Sequence, residues 1–154
     1  MSQPDSLEFP LDLDEGWPPV SAECIPMRPT AAGCEVLVAP LFVKGLSVGD
    51  VIDATLEGVR VLAWRHVSRS KNTTVWLLAM KRDAGGDVPR VLAGLRDAGC
   101  GAVEAGSLGA YSINVPEVVS IAVVDALLAG LDPASIAVAF PSMRHAEPDD
   151  QIAE

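Results

Sequence analysis

Two glycines set four residues apart constrain the fold of this chain more than any other feature. An apolar run leads into Gly45, an alternating run follows Gly49, and the whole stretch covers residues 41–54. Glycine adopts positive φ and allows close backbone approach, so the pair predicts a tight loop between two strands. Asp50 follows the second glycine, where its short carboxylate can accept backbone N–H groups of the loop. We therefore interpret Gly45, Gly49 and Asp50 as structural residues, and we expect Gly49→Ala to cost more stability than Asp50→Asn.

The first half of the chain has the pattern of β-strands. Residues 59–67 alternate between two faces, which is typical of a strand. Shorter stretches at 21–27, 35–43 and 50–56 also predict strands, and Pro40 marks a bulge or an edge. These patterns predict a small antiparallel β unit of about four strands, closed or strongly curled.

The second half of the chain alternates strands and helices. Proline and glycine residues mark the ends of its apolar periodic segments, as they do at helix starts and stops. The elements, in order, are a strand at 73–80, a helix at 87–99, a hairpin of strands 102–107 and 110–115, a helix at 116–130 and a strand at 135–140. The order β-α-β-β-α-β is typical of a ferredoxin-like unit.

The predicted fold class is α+β, with a small curled antiparallel β unit followed by a ferredoxin-like βαββαβ unit. The connection at residues 68–72 is too short for a free linker, so we expect the two units to pack as one body. The predicted segments are an acidic N-terminal arm (1–19), a small β-barrel-like unit (20–68), the ferredoxin-like unit (69–142) and an acidic disordered tail (143–154).

The net charge of −10 is concentrated in the two ends of the chain. Residues 1–19 carry five acids and residues 146–154 carry four, with no base in either segment, which leaves twelve acids against eleven bases in the body. Phosphate repels such a balance, so nucleic-acid binding is disfavoured. No apolar run reaches the roughly 18 residues of a membrane span. The first residues lack the pattern of a signal peptide, and we expect a cytoplasmic protein.

Residues that carry catalytic or metal chemistry are sparse. The two histidines are His66, predicted on a strand in a structural or surface role, and His145, predicted to be solvated beside the acidic tail. The spacing of Cys24, Cys34 and Cys100 matches no zinc template. We interpret these cysteines as reduced, buried thiols, with a Cys24–Cys34 disulfide as the alternative. The sequence therefore predicts no catalytic set, no metal site and no cofactor.

One charged segment is a candidate binding site. Between residues 58 and 82 there are six bases and no acid, and this segment joins the two predicted units. Binding groups gather in loops on a rigid scaffold, so the stretch is a candidate site for a charged partner or an anionic or polar ligand. The alternative is a solvated face that balances the acidic ends. The predicted binding residues are Arg65, His66, Arg69, Ser70, Lys71 and Asn72.

Several short motifs are spread along most of the chain: Trp17-Pro-Pro, Glu23, Phe42-Val-x-Gly-Leu-Ser-x-Gly-Asp-Val51, Val67-x-x-Ser70, Leu95-x-x-x-Gly-Cys100 and Ile113-x-Val-Pro116. From about Phe9 to Phe140 the chain thereby resembles a bacterial family, domain-of-unknown-function family 4265. That resemblance implies the fold and the domain limits but no assigned activity. Members of that family often carry a histidine after the serine region, where this chain has Lys71 and Asn72.

Two classes of function remain open. The first is a non-catalytic cytosolic binding protein that captures a protein partner, as an immunity protein, an antitoxin or a pathway accessory protein does. The second is a small enzyme or small-molecule-binding protein that uses the crevice between the β unit and the ferredoxin-like unit. A protein partner is expected in the first class and a small anionic or polar ligand in the second. Neither class involves nucleic acid or a membrane.

Overall fold

The structure is a computed structural model that describes residues 6–12, 18–80 and 87–145. Within these residues a closed five-stranded barrel is followed by a four-stranded sheet and two α-helices. The fold class is therefore α+β, as the sequence predicts. Most of the predicted acidic arm and the tail beyond residue 145 lie outside the described residues.

The barrel is formed by the first five strands. Strands that are consecutive in the sequence pair antiparallel. The first strand then pairs in parallel with the fifth, where Glu8 lies opposite Arg60, and so closes the barrel. The strands are β1 (Ser6–Pro10), β2 (Ala22–Pro29), β3 (Cys34–Val36), β4 (Val51–Glu57) and β5 (Arg60–Ser68).

The closing strand β1 lies inside the segment predicted as an arm. Leu7 and Phe9 are 0% and 3% exposed and belong to the barrel core. They stand two residues apart, so both side chains point to the same face of the strand and into the barrel. The barrel therefore begins earlier than the predicted boundary at residue 20 and has five strands where about four were predicted.

A long loop replaces most of the strand predicted at 35–43. Strand β3 ends at Val36, and Pro40 has no N–H group to donate to a ladder. The backbone N–H groups that follow Pro40 bond to the Glu23 carboxylate instead of to a neighbouring strand. Residues 37–50 thus form the connection between β3 and β4.

The second unit is a sheet with two helices on one face. Its strand order is β7-β8-β6-β9, and each neighbouring pair is antiparallel. Strand β6 is central, as its two apolar faces predict, and β7 and β9 are the edges. The elements are β6 (Thr73–Ala79), α1 (Val88–Asp97), β7 (Gly101–Ala105), β8 (Ala110–Val115), α2 (Ile121–Leu128) and β9 (Ile136–Ser142).

Helix α1 packs on this sheet through a stripe of aliphatic residues at helical spacing. Burial of each such side chain contributes about 1.5–3 kcal/mol. Gly99, at φ +108°, ends the helical segment in the left-handed conformation that favours glycine. The buried helix residues are Val88, Val91, Leu92 and Leu95, and they join Val75 and Leu77 of β6 in one core.

The other face of the sheet meets the loop that leaves the barrel. The indole Nε1–H of Trp76 donates to the Pro40 carbonyl at 2.7 Å. The hydroxyl of the fully buried Ser112 donates to the Ala39 carbonyl, also at 2.7 Å. These bonds dock residues 37–50 on the sheet. In the described ranges, no helix is both long and apolar enough to cross a membrane.

Candidate functional site

The glycine loop turns Asp50 into the protein. Gly45 and Gly49 have φ angles of +83° and +90°, as the glycine pair predicts. The Gly49 N–H donates to the Val36 carbonyl, and the Val36 N–H donates to the Asp50 carbonyl, both at 2.8 Å. These bonds fasten the loop exit to β3, so the Asp50 side chain lies between the barrel and the sheet with no exposed surface.

The carboxylate of Asp50 accepts hydrogen bonds from both sides of this interface. Oδ1 accepts from the Ser70 N–H at 2.8 Å, and Oδ2 accepts from the Ser47 N–H at 3.1 Å. The Nε2 of His66 lies 2.9 Å from Oδ2. Because a carboxylate only accepts, this histidine nitrogen carries the proton and donates it.

Arg144 completes the coordination of this carboxylate. Its Nη1 and Nη2 donate to Oδ1 and Oδ2 of Asp50 at 2.8 and 2.9 Å, which is the strong two-pronged geometry. The same guanidinium donates to the carbonyls of Ser70 at 2.8 Å and Gly45 at 3.1 Å. Only 13% of the Arg144 side chain is exposed. The residue therefore joins the chain after β9 to the glycine loop and to the connection between the units.

Burial and hydrogen bonding act in opposite directions on Asp50. Burial raises the pKa of this carboxyl, but the hydrogen bonds from Arg144, Ser70, Ser47 and His66 outweigh burial and hold its pKa below the usual value. The group contributes stability above its unfolded pKa, and that contribution is lost as the pH falls through the lower folded pKa. Asp50 is therefore a charged crosslink over the whole neutral range.

The Asp50–His66 pair resembles two members of a catalytic triad, which also needs a nucleophile beside the histidine. The nearby serines are used elsewhere: Ser70 Oγ donates to the Val48 carbonyl at 2.6 Å, and Ser47 Oγ donates to Ser142 Oγ at 2.9 Å. The edge of the Trp64 ring packs on His66, with ring centroids 5.2 Å apart. The arrangement is that of a structural cluster.

His145 is a second anchor at the end of the described chain, and not the solvated residue that the sequence predicts. Its Nδ1 lies 2.7 Å from the hydroxyl of the fully buried Thr73. Its Nε2 lies 2.9 Å from the Val119 carbonyl and 3.1 Å from the Pro116 carbonyl. The Thr73 hydroxyl also accepts from the backbone N–H groups of Arg144 and His145. Arg144 is thus held from both units, and His145 is held from the second unit.

The structure divides the six predicted binding residues into two groups. His66, Ser70 and Asn72 belong to the buried cluster, where the Asn72 side chain donates to the Val48 carbonyl at 2.6 Å. The three bases are exposed: Arg65 lies 3.2 Å from Asp53, Lys71 lies 3.8 Å from Glu117, and Arg69 is solvated. The six residues therefore do not converge on one open site.

An open crevice lies instead between the barrel and the second sheet. Its volume is about 620 Å³, within the range of ligand sites. Aromatic side chains from both units line it, and Lys44 stands exposed at its edge. The lining residues are Phe9, Pro10, Leu11, Asp12, Pro18, Leu41, Phe42, Val43, Lys44, Trp64 and Trp76.

Glu23 holds the wall of this crevice in place. Its two carboxylate oxygens accept the backbone N–H groups of Leu41, Phe42 and Val43 at 2.6, 2.9 and 3.1 Å. Burial raises the pKa of Glu23, and these three bonds offset the rise only in part. The side chains of residues 41–43 therefore take their positions from one acidic residue on β2.

A smaller cavity of about 210 Å³ continues from the crevice along the sheet. Leu41 and Trp76 line both, so the two cavities adjoin, and we call them together the aromatic groove. At its far end the groove is lined by alanines, leucines and one tyrosine from three strands. These are Leu77, Leu78, Ala110, Tyr111, Ala137 and Ala139.

Three important residues were missed from the sequence. Arg144 has one signal in the sequence, since it is the only lysine or arginine after Arg96, but the acidic residues that follow it predict a solvated tail. Glu23 appears in the sequence only as part of the family motifs, since nothing near it marks it as an acceptor. Trp76 lies on a strand that the sequence predicts to be central, and a central strand gives no sign of which face meets a second unit.

The described residues contain no cluster of metal-ligating side chains. Cys24, Cys34 and Cys100 are free thiols, so the alternative of a Cys24–Cys34 disulfide is wrong. Cys100 is buried, as predicted, whereas Cys24 is exposed. Burial raises the pKa of the Cys34 and Cys100 thiols, which makes them poor nucleophiles at neutral pH.

The glycine loop gives a first testable prediction. We expect Gly49→Ala to lower the free energy of unfolding by about 1–3 kcal/mol, since a Cβ there would lie 3.1 Å from the Ser70 Cβ at a φ of +90°. Gly45→Ala is the matched control, because its φ is similar but its Cβ would meet nothing within 4 Å. Urea unfolding of both variants measures the difference. Equal losses would show that contact with Ser70 is unimportant.

Comparisons with known proteins bear on the family and the fold. Residues 27–137 match the family described as Domain of unknown function (DUF4265). No curated protein matches the chain. A solved structure described as a novel crystal structure of a hypothetical protein from Neisseria gonorrhoeae is similar, with a TM-score of 0.69 and 14% identity over 94% of this chain and 100% of that one. At this identity the likeness concerns the fold alone.

Proposed function

Since the chain belongs to the family described as Domain of unknown function (DUF4265), which carries no assigned activity, we propose a function from the geometry of its surface. The protein is a non-catalytic binding protein, and it captures an extended apolar segment of a partner protein in the aromatic groove. The observation that carries this proposal is that the two cavities of the groove adjoin, since Leu41 and Trp76 line both.

The shape and lining of the groove support an extended occupant. Its two cavities, of about 620 and 210 Å³, adjoin, so the binding surface is elongated. Aromatic side chains supply large contact areas with few rotamers to immobilise, which is why they dominate protein recognition surfaces. Trp64 comes from the barrel and Trp76 from the sheet, and both are partly exposed, so a bound segment would contact both units.

The buried cluster supports a non-catalytic role. General acid–base catalysis needs a group that can reach the substrate. Asp50 is fully buried and accepts five hydrogen bonds, with Arg144 and His66 among its donors. These three residues are therefore better suited to joining the units than to chemistry.

A small molecule with an anionic group is the second candidate occupant. The larger cavity alone has the volume of a typical ligand site, and Lys44 at its edge can pair with a carboxylate or a phosphate. This candidate corresponds to the alternative of a ligand-binding protein or small enzyme that uses the crevice.

The proposal also covers the arrangement of the second unit and the compartment of the protein. We assign the second unit to the ferredoxin-like arrangement, and the strand order β7-β8-β6-β9 with antiparallel neighbours supports that assignment. We also place the protein in the cytoplasm, which the three free thiols support, because oxidising compartments favour disulfides.

A displayed peptide library tests the capture of a segment. Random twelve-residue peptides are selected on the immobilised protein, and binding of the enriched peptides is measured by calorimetry. We expect enrichment of peptides with aromatic or aliphatic anchors. Leu41→Gln should weaken their binding about tenfold or more, because it places an amide in the middle of the groove.

Leu37→Gln is the matched control, since Leu37 lies in the same loop and is 43% exposed but lines neither cavity of the groove. Its affinity should stay near that of the unmodified protein. A selection that enriches no sequence, or peptides that bind both variants equally well, would overturn segment capture in favour of the small-molecule candidate.

A further inference from the structure

Strand β9 is an edge strand whose outer backbone groups have no neighbouring strand among the described residues. It pairs with β6 on one side only. The barrel is closed, so the edges of the second sheet are the strand edges that the described part of the chain leaves open. An unpaired edge is a template for an added strand.

The pairing between β9 and β6 shows which backbone groups of β9 point outward. Met80 N–H donates to the Ser135 carbonyl at 2.8 Å, directly before β9 begins. In antiparallel pairing, hydrogen-bonded and non-hydrogen-bonded pairs alternate, so Ala137 and Ala139 direct their N–H and C=O groups toward β6. Val138 directs both of its groups away from β6, toward the open edge.

Over residues 136–140 the side chains of this edge do not protect it from pairing, because this stretch contains neither a charged residue nor a proline. Pro141, beside an irregularity in the pairing with β6, limits the open edge to these residues. Val138 and Phe140 are 39% and 37% exposed. The opposite edge, β7, carries Glu104, which bonds to Arg96 at 2.9 Å. Charges at an edge discourage strand addition, so β9 is the receptive edge of the sheet.

We propose that the partner segment binds as an added β-strand along β9, with a partner of positive charge. This inference rests on the proposed function and specifies its binding mode. Ala137 and Ala139 line the far end of the aromatic groove, so the edge and the groove are continuous. An added strand would direct alternate side chains into the groove, while its backbone pairs with Val138.

The negative charge of the chain favours a cationic partner segment. The chain has a net charge of −10, of which nine acids lie in its two ends, so two copies repel each other at long range and a cationic segment is attracted. In a bound strand, successive side chains point to opposite faces, so every second side chain would face the groove. The expected segment is therefore extended, with apolar residues at alternate positions and lysine or arginine at its ends.

Amide exchange measured by NMR on the full chain tests this binding mode. The probe is a synthetic peptide in which valine alternates with threonine between two lysines at each end. When the peptide binds, we expect the Val138 amide to exchange at least about tenfold more slowly. The amides of Ala137 and Ala139, already bonded to β6, should change little.

Val138→Pro supplies the matching variant, since it removes the outward N–H without removing a bond to β6. We expect it to weaken peptide binding about tenfold or more, whereas Val138→Thr, which keeps the N–H, should stay within about threefold. Urea unfolding checks that both variants remain folded. If Val138→Pro unfolds the protein, slowed exchange at Val138 in the unmodified chain decides the question alone.

The outcomes separate this inference from the proposed function. A peptide that binds, is weakened by Leu41→Gln and leaves the Val138 amide unprotected would overturn strand addition while keeping the groove. No binding of either this peptide or the library would overturn both. Protection of Val138 that grows with protein concentration and without peptide would identify a second copy as the occupant, which contradicts the inference.

Discussion

Replacing Arg144 with methionine is expected to lower the free energy of unfolding by about 3–5 kcal/mol. The substitution leaves the negative charge of Asp50 without its partner. Asp50 is fully buried, and Arg144 donates to both of its carboxylate oxygens at 2.8 and 2.9 Å. Without the guanidinium, a buried carboxylate keeps its desolvation cost and loses its main partner. Urea unfolding followed by circular dichroism measures the difference.

Lys71→Met is the matched control for this prediction. Lys71 also pairs with a carboxylate, but its side chain is 76% exposed and lies 3.8 Å from Glu117. Exposed pairs contribute about 0–1 kcal/mol, so this variant should unfold almost like the unmodified protein. Similar losses in the two variants would contradict a special role for the buried pair.

The effect of Arg144→Met should also depend on pH, with a definite sign. In the unmodified protein Asp50 keeps its stabilising charge until the pH falls through its lowered pKa. In the variant, burial dominates and the pKa of Asp50 rises, so acidification neutralises the uncompensated charge and restores stability. The difference between the two proteins should therefore shrink from about pH 7 to about pH 4. A constant difference would show that Asp50 does not cause it.

The same ion pair reverses one expectation from the sequence. The sequence predicts that Gly49→Ala costs more than Asp50→Asn, because it indicates a role for Asp50 only as an acceptor within the loop. Asp50→Asn leaves Arg144 without its charged partner, and we now expect it to cost about 3–5 kcal/mol, more than the glycine variant. The partner is 94 residues away in the chain, and no local pattern indicates it.

Local signals made the second unit predictable. Its helices and strands are bounded by proline and glycine residues, and its apolar residues recur at the period of the element that they build. Gly99 shows this well, because a single residue marks the end of α1 and its φ of +108° is the conformation expected there. Such features depend on a few neighbouring residues, and a sequence displays them directly.

The groove was less predictable, because its walls meet only after folding. Phe9 and Trp76 are 67 positions apart, yet both line the crevice. The sequence did predict a crevice between the units as an alternative site, but it assigned the binding residues to the basic stretch around Arg69. A run of charges along the chain says little about how side chains converge in space, and three of those residues instead join the buried cluster.

Replacing Glu23 with alanine is expected to lower the free energy of unfolding by about 2–3 kcal/mol and to weaken binding in the groove. The carboxylate accepts three consecutive backbone N–H groups, those of Leu41, Phe42 and Val43. Alanine leaves all three without their acceptor. Because these residues form a wall of the crevice, we expect the selected peptides to lose affinity together with stability.

Glu23→Gln separates the acceptor role from the charge. A glutamine oxygen can still accept from Phe42 and Val43, whose N–H groups share one carboxylate oxygen, but its amide nitrogen cannot accept from Leu41. We therefore expect a loss of stability smaller than that of alanine. Equal losses in the glutamine and alanine variants would contradict the role of Glu23 as an acceptor for this wall.

The pH dependence of the Glu23 variants should be opposite in sign to that of Arg144→Met. Burial raises the pKa of Glu23, so its contribution is fully present below its unfolded pKa and is lost as the pH rises through the folded pKa. The alanine variant lacks this contribution, and its deficit should therefore be larger at about pH 4 than at about pH 7. Urea unfolding at both pH values measures the two trends. A Glu23→Ala deficit that shrinks on acidification would mean that Glu23, like Asp50, is stabilised mainly as a charge.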